Sequence, residues 1–221
     1  MSFEIFNFSS EINKAISDVG YSTPTEIQKK SIPEIIKNKH LLASAQTGTG
    51  KTAAFVLPIL EILIKDKIKV KGPRVLIVSP TRELANQITD SIKKYARYIN
   101  INSVTITGGM SYKLQNKVIS KSLDILIATP GRLLDLFRQK KIQFKDIRIM
   151  VLDEADRMLD MGFIPDIRKI YNATSKHQQM LMFSATIDKS ISNIANEFLK
   201  NPITISIKPE TKGHINIQQS V

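Results

Sequence analysis

The 221-residue chain is 42% hydrophobic and 24% charged. That is too apolar for a disordered chain and enough for one large α/β domain or two small ones. The absence of cysteine excludes disulfides and thiolate metal sites and fits a reducing compartment, and His40, His177 and His214 stand too far apart for a metal-ligand spacing. The net charge of +12 favours a polyanionic partner; a Lys-rich background would give the same total, so the placement of the eight arginines carries more weight. The start, Met1-Ser2-Phe3-Glu4, is acidic where a secretory leader is basic. The longest apolar stretch, residues 55–64, is interrupted by Pro58 and Glu61 and is too short for a bilayer. A cytoplasmic protein without a membrane partner is expected.

Ser9-Ser10 before Glu11-Ile12 predicts a short helix to about Val19, ended by Gly20. Thr23-Pro24-Thr25-Glu26 opens the next helix, with Pro24 near its first turn and Ile27, Ile32, Ile35 and Ile36 on a partly buried face. Pro33 is expected to break that helix into two pieces. The apolar run Leu41-Leu42-Ala43 then leads into Ala45-Gln46-Thr47-Gly48-Thr49-Gly50-Lys51-Thr52, and a helical pattern over residues 52–65 leads out. Strand, glycine-bearing turn, Gly-Lys-Thr and helix form the layout of a nucleotide phosphate loop. Gly48 and Gly50 let successive N–H groups turn inward at phosphate oxygens, and the helix N-terminus adds positive potential. Lys51 would reach the β- and γ-phosphates, and the Thr52 hydroxyl would ligand Mg2+.

Further apolar runs follow at residues 75–78, 104–106, 125–128, 149–152, 180–183 and 203–207. They alternate with helical stretches near 81–98, 111–120, 131–140, 155–172 and 187–199. Near-continuous apolar strands separated by amphipathic helices predict an α/β fold with a mostly parallel sheet covered on both faces. The strands run into polar segments: Ser79-Pro80-Thr81-Arg82-Glu83, Thr107-Gly108-Gly109, Thr129-Pro130-Gly131-Arg132, Asp153-Glu154-Ala155-Asp156 and Ser184-Ala185-Thr186. Ligands of open α/β sheets bind beyond these carboxyl ends. Asp153 is placed to hold Mg2+, through water, and Glu154 to orient or deprotonate an attacking water. Arg82 and Arg132, in loops with Thr, Gly and Pro, suit nucleic-acid phosphates, a contact that carries no sequence information.

Taken together, these segments resemble the DEAD-box ATP-dependent RNA helicases, at the motifs of their N-terminal RecA-like lobe. Asp-Glu-Ala-Asp at 153–156 matches the namesake motif. The segment from Gly20 through Tyr21, Thr23 and Pro24 to Gln28 resembles the Q motif, which implies adenine recognition by Gln28. Phe3 lies where the family keeps an aromatic that stacks on adenine. Ala45 to Thr52 fits motif I, where the family has Ala in place of the more usual opening Gly. Pro80-Thr81-Arg82 resembles motif Ia, Gly108-Gly109 the following glycine pair, Thr129-Pro130-Gly131-Arg132 motif Ib, and Ser184-Ala185-Thr186 motif III. The resemblance implies ATP and Mg2+ as cofactors and RNA lying across Pro80–Arg82, Gly108-Gly109 and Thr129–Arg132. It also implies that hydroxyls of Ser184 and Thr186 bond Asp156 and its neighbours, coupling the two sites.

The expected organisation is a Q-motif region over residues 1–38, an ATP-binding lobe over 39–207 and an interlobe linker over 208–221. No arginine follows Arg168, whereas the family's C-terminal lobe supplies arginines to the γ-phosphate. An arginine finger is worth about 10³–10⁵ in rate, so the chain alone is expected to bind nucleotide weakly and to turn over little. The rival readings are a P-loop enzyme of another kind, such as a DNA translocase or a small-molecule kinase, and a non-catalytic RNA-binding or scaffold module. Gln28 argues against the first. Lys51, Asp153 and Glu154 argue against the second.

Overall fold

The computed structural model describes residues 2–66, 70, 72–109, 123–175 and 178–207. The expected helix near 111–120, His177, His214 and the expected linker 208–221 lie outside the described residues.

Seven four- to six-residue strands form one sheet: β1 Leu41–Ser44, β2 Val75–Val78, β3 Ser103–Ile106, β4 Ile125–Ala128, β5 Ile149–Leu152, β6 Gln179–Ser184 and β7 Ile203–Ser206. Their order is β3-β4-β2-β5-β6-β1-β7, and every neighbouring pair is parallel. The fold class read from the sequence is therefore observed. The physical cause is visible in β1, β2, β4, β5 and β6, which are buried along their whole length. Successive side chains point to opposite faces, so a wholly apolar strand needs a cover on each. Val75 and Ile77 enter one core layer and Leu76 and Val78 the other.

The first layer is closed by α1 Ser10–Asp18, α2 Glu26–Ile36, α3 Lys51–Lys65 and α4 Arg82–Tyr95, with a 3-10 turn at Phe3–Phe6. The second is closed by α5 Pro130–Arg138, α6 Ala155–Asp160, α7 Ile164–Ala173 and α8 Lys189–Phe198. At the amino ends of the strands Arg74 forms a clasp. Its guanidinium lies 2.6 Å from Asp124 Oδ1 and donates to the Asp66 carbonyl at 2.7 Å.

Three local expectations are corrected. Pro33 does not divide α2, which runs unbroken through it; Ile27, Ile32 and Ile35 are fully buried, and that burial outweighs one missing amide hydrogen bond. Pro24 precedes the helix, because Thr25 is its N-cap. The helix expected over 155–172 is two helices, parted where Gly162 takes a positive φ of 74°, the conformation that ends a helix.

Candidate nucleotide and nucleic-acid site

The phosphate loop joins β1 to α3. Gly48 and Gly50 adopt φ of 83° and 90°, which L side chains avoid. Gly50 is needed for space as well: a Cβ there would stand 2.4 Å from Gln28 Nε2. Thr49 Oγ1 donates to the Gln46 carbonyl at 2.7 Å, tightening the turn. Lys51 is 8% exposed. Its ammonium donates to the Ala45 carbonyl at 2.7 Å and to the Ser184 carbonyl at 3.5 Å, so it caps the loop from within.

Strand β5 delivers Asp153 and Glu154 to the same edge. The Asp153 amide donates to the Val78 carbonyl at 2.9 Å, which holds the residue against the end of β2. Its carboxyl is 5% exposed and its Oδ1 has no hydrogen-bond partner. Burial and then the Glu154 charge push its pKa up to about 7, against the opposing pull of Lys51. Glu154 sits at φ 56°, ψ 54°, a left-handed conformation that costs a side chain about 1–3 kcal/mol. The Arg157 guanidinium lies 3.5 Å from its Oε2.

Tyr21, Gly48, Lys51, Thr52, Asp153 and Glu154 line one cleft of about 370 Å³. The loop around Lys51 and the two carboxylates therefore converge at one rim of the sheet. Among the described residues no three His, Asp or Glu side chains gather into a metal cage. One buried carboxylate and one hydroxyl suit Mg2+, which keeps several waters and takes other ligands from substrate phosphates.

Gln28 is 3% exposed and engaged at both ends. Its Oε1 accepts from the Thr25 amide at 3.0 Å, and its Nε2 donates to the Gly50 carbonyl at 3.2 Å. The amide that the resemblance assigns to adenine recognition is thus bonded within the protein in this arrangement. Gln28 is the third residue of α2 and closes a capping box, a geometry that satisfies the backbone at the helix start. Thr23 is exposed on the approach to that start. Phe3 is buried and its ring stacks on Tyr21, with centroids 6.3 Å apart and planes 16° from parallel. Tyr21 is 44% exposed and divides the cleft from a hollow of about 570 Å³ over Phe3.

The loops after β2, β3 and β4 carry the residues expected to meet RNA. These strands are neighbours, so the loops form one half of the rim, while β5, β6 and β1 form the other. Thr81 caps α4, its Oγ1 accepting from the Leu84 amide at 3.3 Å, and Pro80 is buried behind it. Arg82 is exposed and crosses to the glycine pair, its Nη1 standing 2.8 Å from where a Gly109 Cβ would be. Gly108 and Gly131 are exposed, with nothing packed where a Cβ would go. Thr129 is the N-cap of α5 and Pro130 its first residue. Arg132 does not present its guanidinium here: the side chain is 9% exposed and 3.1 Å from Asp135.

The contact between motif III and the acidic motif takes a form different from the one expected. Ser184 Oγ is buried without a hydrogen-bond partner, and Thr186 is exposed. The Ala185 backbone amide instead donates to Asp156 Oδ2 at 3.0 Å. Sequence reasoning also missed Gln87, Ser91 and Tyr95, which line the cleft from α4. Their i, i+4, i+8 spacing was the available signal.

Fold and site together define a P-loop nucleotide-binding α/β domain. Residues 25–194 match the family model described as DEAD/DEAH box helicase, and the chain belongs to that family. It is 48% identical to the ATP-dependent RNA helicase vasa of Drosophila melanogaster, over 87% of this chain and 30% of vasa. It is 40% identical to the ATP-dependent RNA helicase SrmB of Escherichia coli, over 98% of this chain and 49% of SrmB. The crystal structure of a DEAD box protein from Methanococcus jannaschii matches with a TM-score of 0.87 at 37% identity, over 94% of this chain and 56% of that one. The chain thus spans at most half the length of these two helicases. No described helix is long and apolar enough to cross a membrane.

Proposed function

We propose that this chain is the ATP-binding lobe of an ATP-dependent RNA helicase, working with a C-terminal lobe to separate short RNA duplexes. The observation that carries this reading is the convergence of Lys51, Asp153 and Glu154 on one cleft bounded by the phosphate loop. Residues 45–52 hold the phosphates, and Thr52 and Asp153 hold Mg2+ with its waters. When bound, the metal supplies neutralisation of charge on the transferring phosphoryl group. Lys51 leaves the Ala45 carbonyl for the phosphates, and Glu154 orients the attacking water. Phe3, Tyr21, Thr23 and Gln28 form the adenine end, which requires Gln28 to give up part of its present bonding.

RNA lies across Pro80–Arg82, Gly108-Gly109 and Thr129–Arg132, bound through phosphate and ribose with little sequence preference. Arg132 joins that surface on leaving Asp135. Asp156, Ser184 and Thr186 connect the two halves of the rim, with the Ala185 amide as the link already in place. Residues 1–38 act as the Q-motif region, 39–207 as the lobe and 208–221 as a linker, in the cytoplasm.

Equilibrium titration of the 221-residue chain with ATP and GTP tests the proposal. ATP is expected to bind more tightly than GTP, Lys51→Ala to abolish that binding, and hydrolysis to stay negligible until the second lobe is supplied. Equal affinity for the two nucleotides, or ATP binding indifferent to Lys51→Ala, overturns it.

A further inference from the structure

Asp153 has a polar neighbour on the adjoining strand to which the proposed function gives no role. Strands β2 and β5 pair in parallel with Val78 opposite Leu152, and the ladder continues one step further through the Asp153 amide on the Val78 carbonyl. That step sets Ser79 beside Asp153. On the other side, the Ser79 amide donates to the Ala128 carbonyl at 3.0 Å, so its backbone is fixed as firmly as a strand interior. Faces alternate along a strand. Val75 and Ile77 of β2 and Ile149 and Val151 of β5 all enter the layer beneath α1–α4, and Ser79 and Asp153 therefore point to that same side. Neighbouring strands run about 4.8 Å apart, so a rotation of either side chain brings hydroxyl and carboxylate together, though the two do not hydrogen-bond in this structure. Ser79 is 0% exposed and Asp153 5%, and both Ser79 Oγ and Asp153 Oδ1 are buried without a hydrogen-bond partner. Two orphaned, sealed polar atoms on adjacent positions of one face are rare, because buried polar groups are almost always paired.

We propose that Ser79 is a positioning residue of the metal–nucleotide site: its hydroxyl, which makes no hydrogen bond in this structure, turns to donate to the Asp153 carboxylate when Mg2+ and nucleotide are bound, so that the other oxygen is aimed at the hydrated Mg2+. The proposal rests on the reading of Asp153 as the metal's carboxylate given above. A hydroxyl fits the task because it rotates freely and can donate to an anion without adding charge. Alanine keeps the Cβ and the strand but removes that donor, leaving the carboxylate only the Glu154 backbone amide.

ATP affinity of the intact chain, measured by calorimetry with Mg2+ and with EDTA, tests this. The parent is expected to gain affinity when Mg2+ is supplied. Ser79→Ala is expected to lose about tenfold of that gain, the scale of a hydrogen bond to a charged group, while its affinity in EDTA stays within about twofold. Ser79→Cys, close in volume and a weak donor, is expected to fall between the two and covers the case of a poorly folded alanine variant. A full Mg2+ gain in Ser79→Ala overturns the proposal. So does an equal loss with and without Mg2+, which is the mark of a merely structural serine. A parent with no Mg2+ gain at all refutes the reading of Asp153 itself, and this proposal with it.

Discussion

The side-chain amide of Gln28 donates to the carbonyl of Gly50, tying the start of α2 to the last residue of the phosphate loop across 3.2 Å. The same amide occupies the volume a Cβ on Gly50 would need. Two residues 22 apart in sequence thus fix each other: Gly50 makes room, and Gln28 holds the loop's φ of 90° in place.

Gly50→Ala meets both a positive φ and Gln28, so it is expected to cost about 2–4 kcal/mol and to weaken ATP binding sharply. In Gln28→Ala the steric part disappears. A double-mutant cycle by urea unfolding should show Gly50→Ala costing at least about 1 kcal/mol less in the Gln28→Ala background. Strict additivity would mean that the two do not constrain each other.

Glu154 is held in the left-handed region. Glu154→Gly relieves that strain but adds chain entropy to the unfolded state. The expected net is a stability unchanged or raised by up to about 1 kcal/mol, read as a melting temperature that does not fall. Glu154→Gln keeps the strain, so its melting temperature should match the parent. In a two-lobed protein both variants should bind ATP and fail to hydrolyse it.

Arg82 lies against Gly109, so Gly109→Val is expected to displace the guanidinium without touching the nucleotide cleft. RNA affinity should fall several-fold, and the log–log salt slope should shrink by about 0.7, the value of one phosphate no longer neutralised on a single strand. ATP affinity in the absence of RNA should stay as in the parent. An unchanged salt slope would place Arg82 away from the RNA.

His40 gives a pH signature remote from the cleft. Its Nδ1 accepts the Met180 amide at 3.0 Å, which only the neutral ring can do on that nitrogen. Burial, and then the nearby Lys200 charge, hold its pKa below the usual histidine value. The unfolded chain therefore binds this proton first as pH falls. The contribution is complete above about pH 6.5 and is lost as acid carries the ring toward its lower folded value. Unfolding free energies at about pH 7.5 and about pH 5.5, either side of that value, should differ less for His40→Asn than for the parent.

Much of this was legible in the sequence because the pattern and the chemistry agreed. The run Ile149-Met150-Val151-Leu152 needs cover on two faces, and Asp153 follows at the strand's end; both facts are local. What escaped depended on distant partners. Pro33 reads as a helix breaker until Ile32 and Ile35 are seen buried beneath it. Gln28 reads as a free amide until the start of its own helix claims the oxygen and Gly50 claims the nitrogen. The bond from motif III to Asp156 is made by a backbone amide, which residue identity at Ser184 and Thr186 does not reveal.

Because all seven strands point the same way, the loops after them that are proposed to bind nucleotide and RNA sit at one rim, and the clasp of Arg74 with Asp124 and Asp66 sits at the other. The molecule has a hem that is stitched and a hem left open. Amide hydrogen exchange should trace that division strand by strand, slow at residues 75 and 125 and faster toward residues 81 and 129.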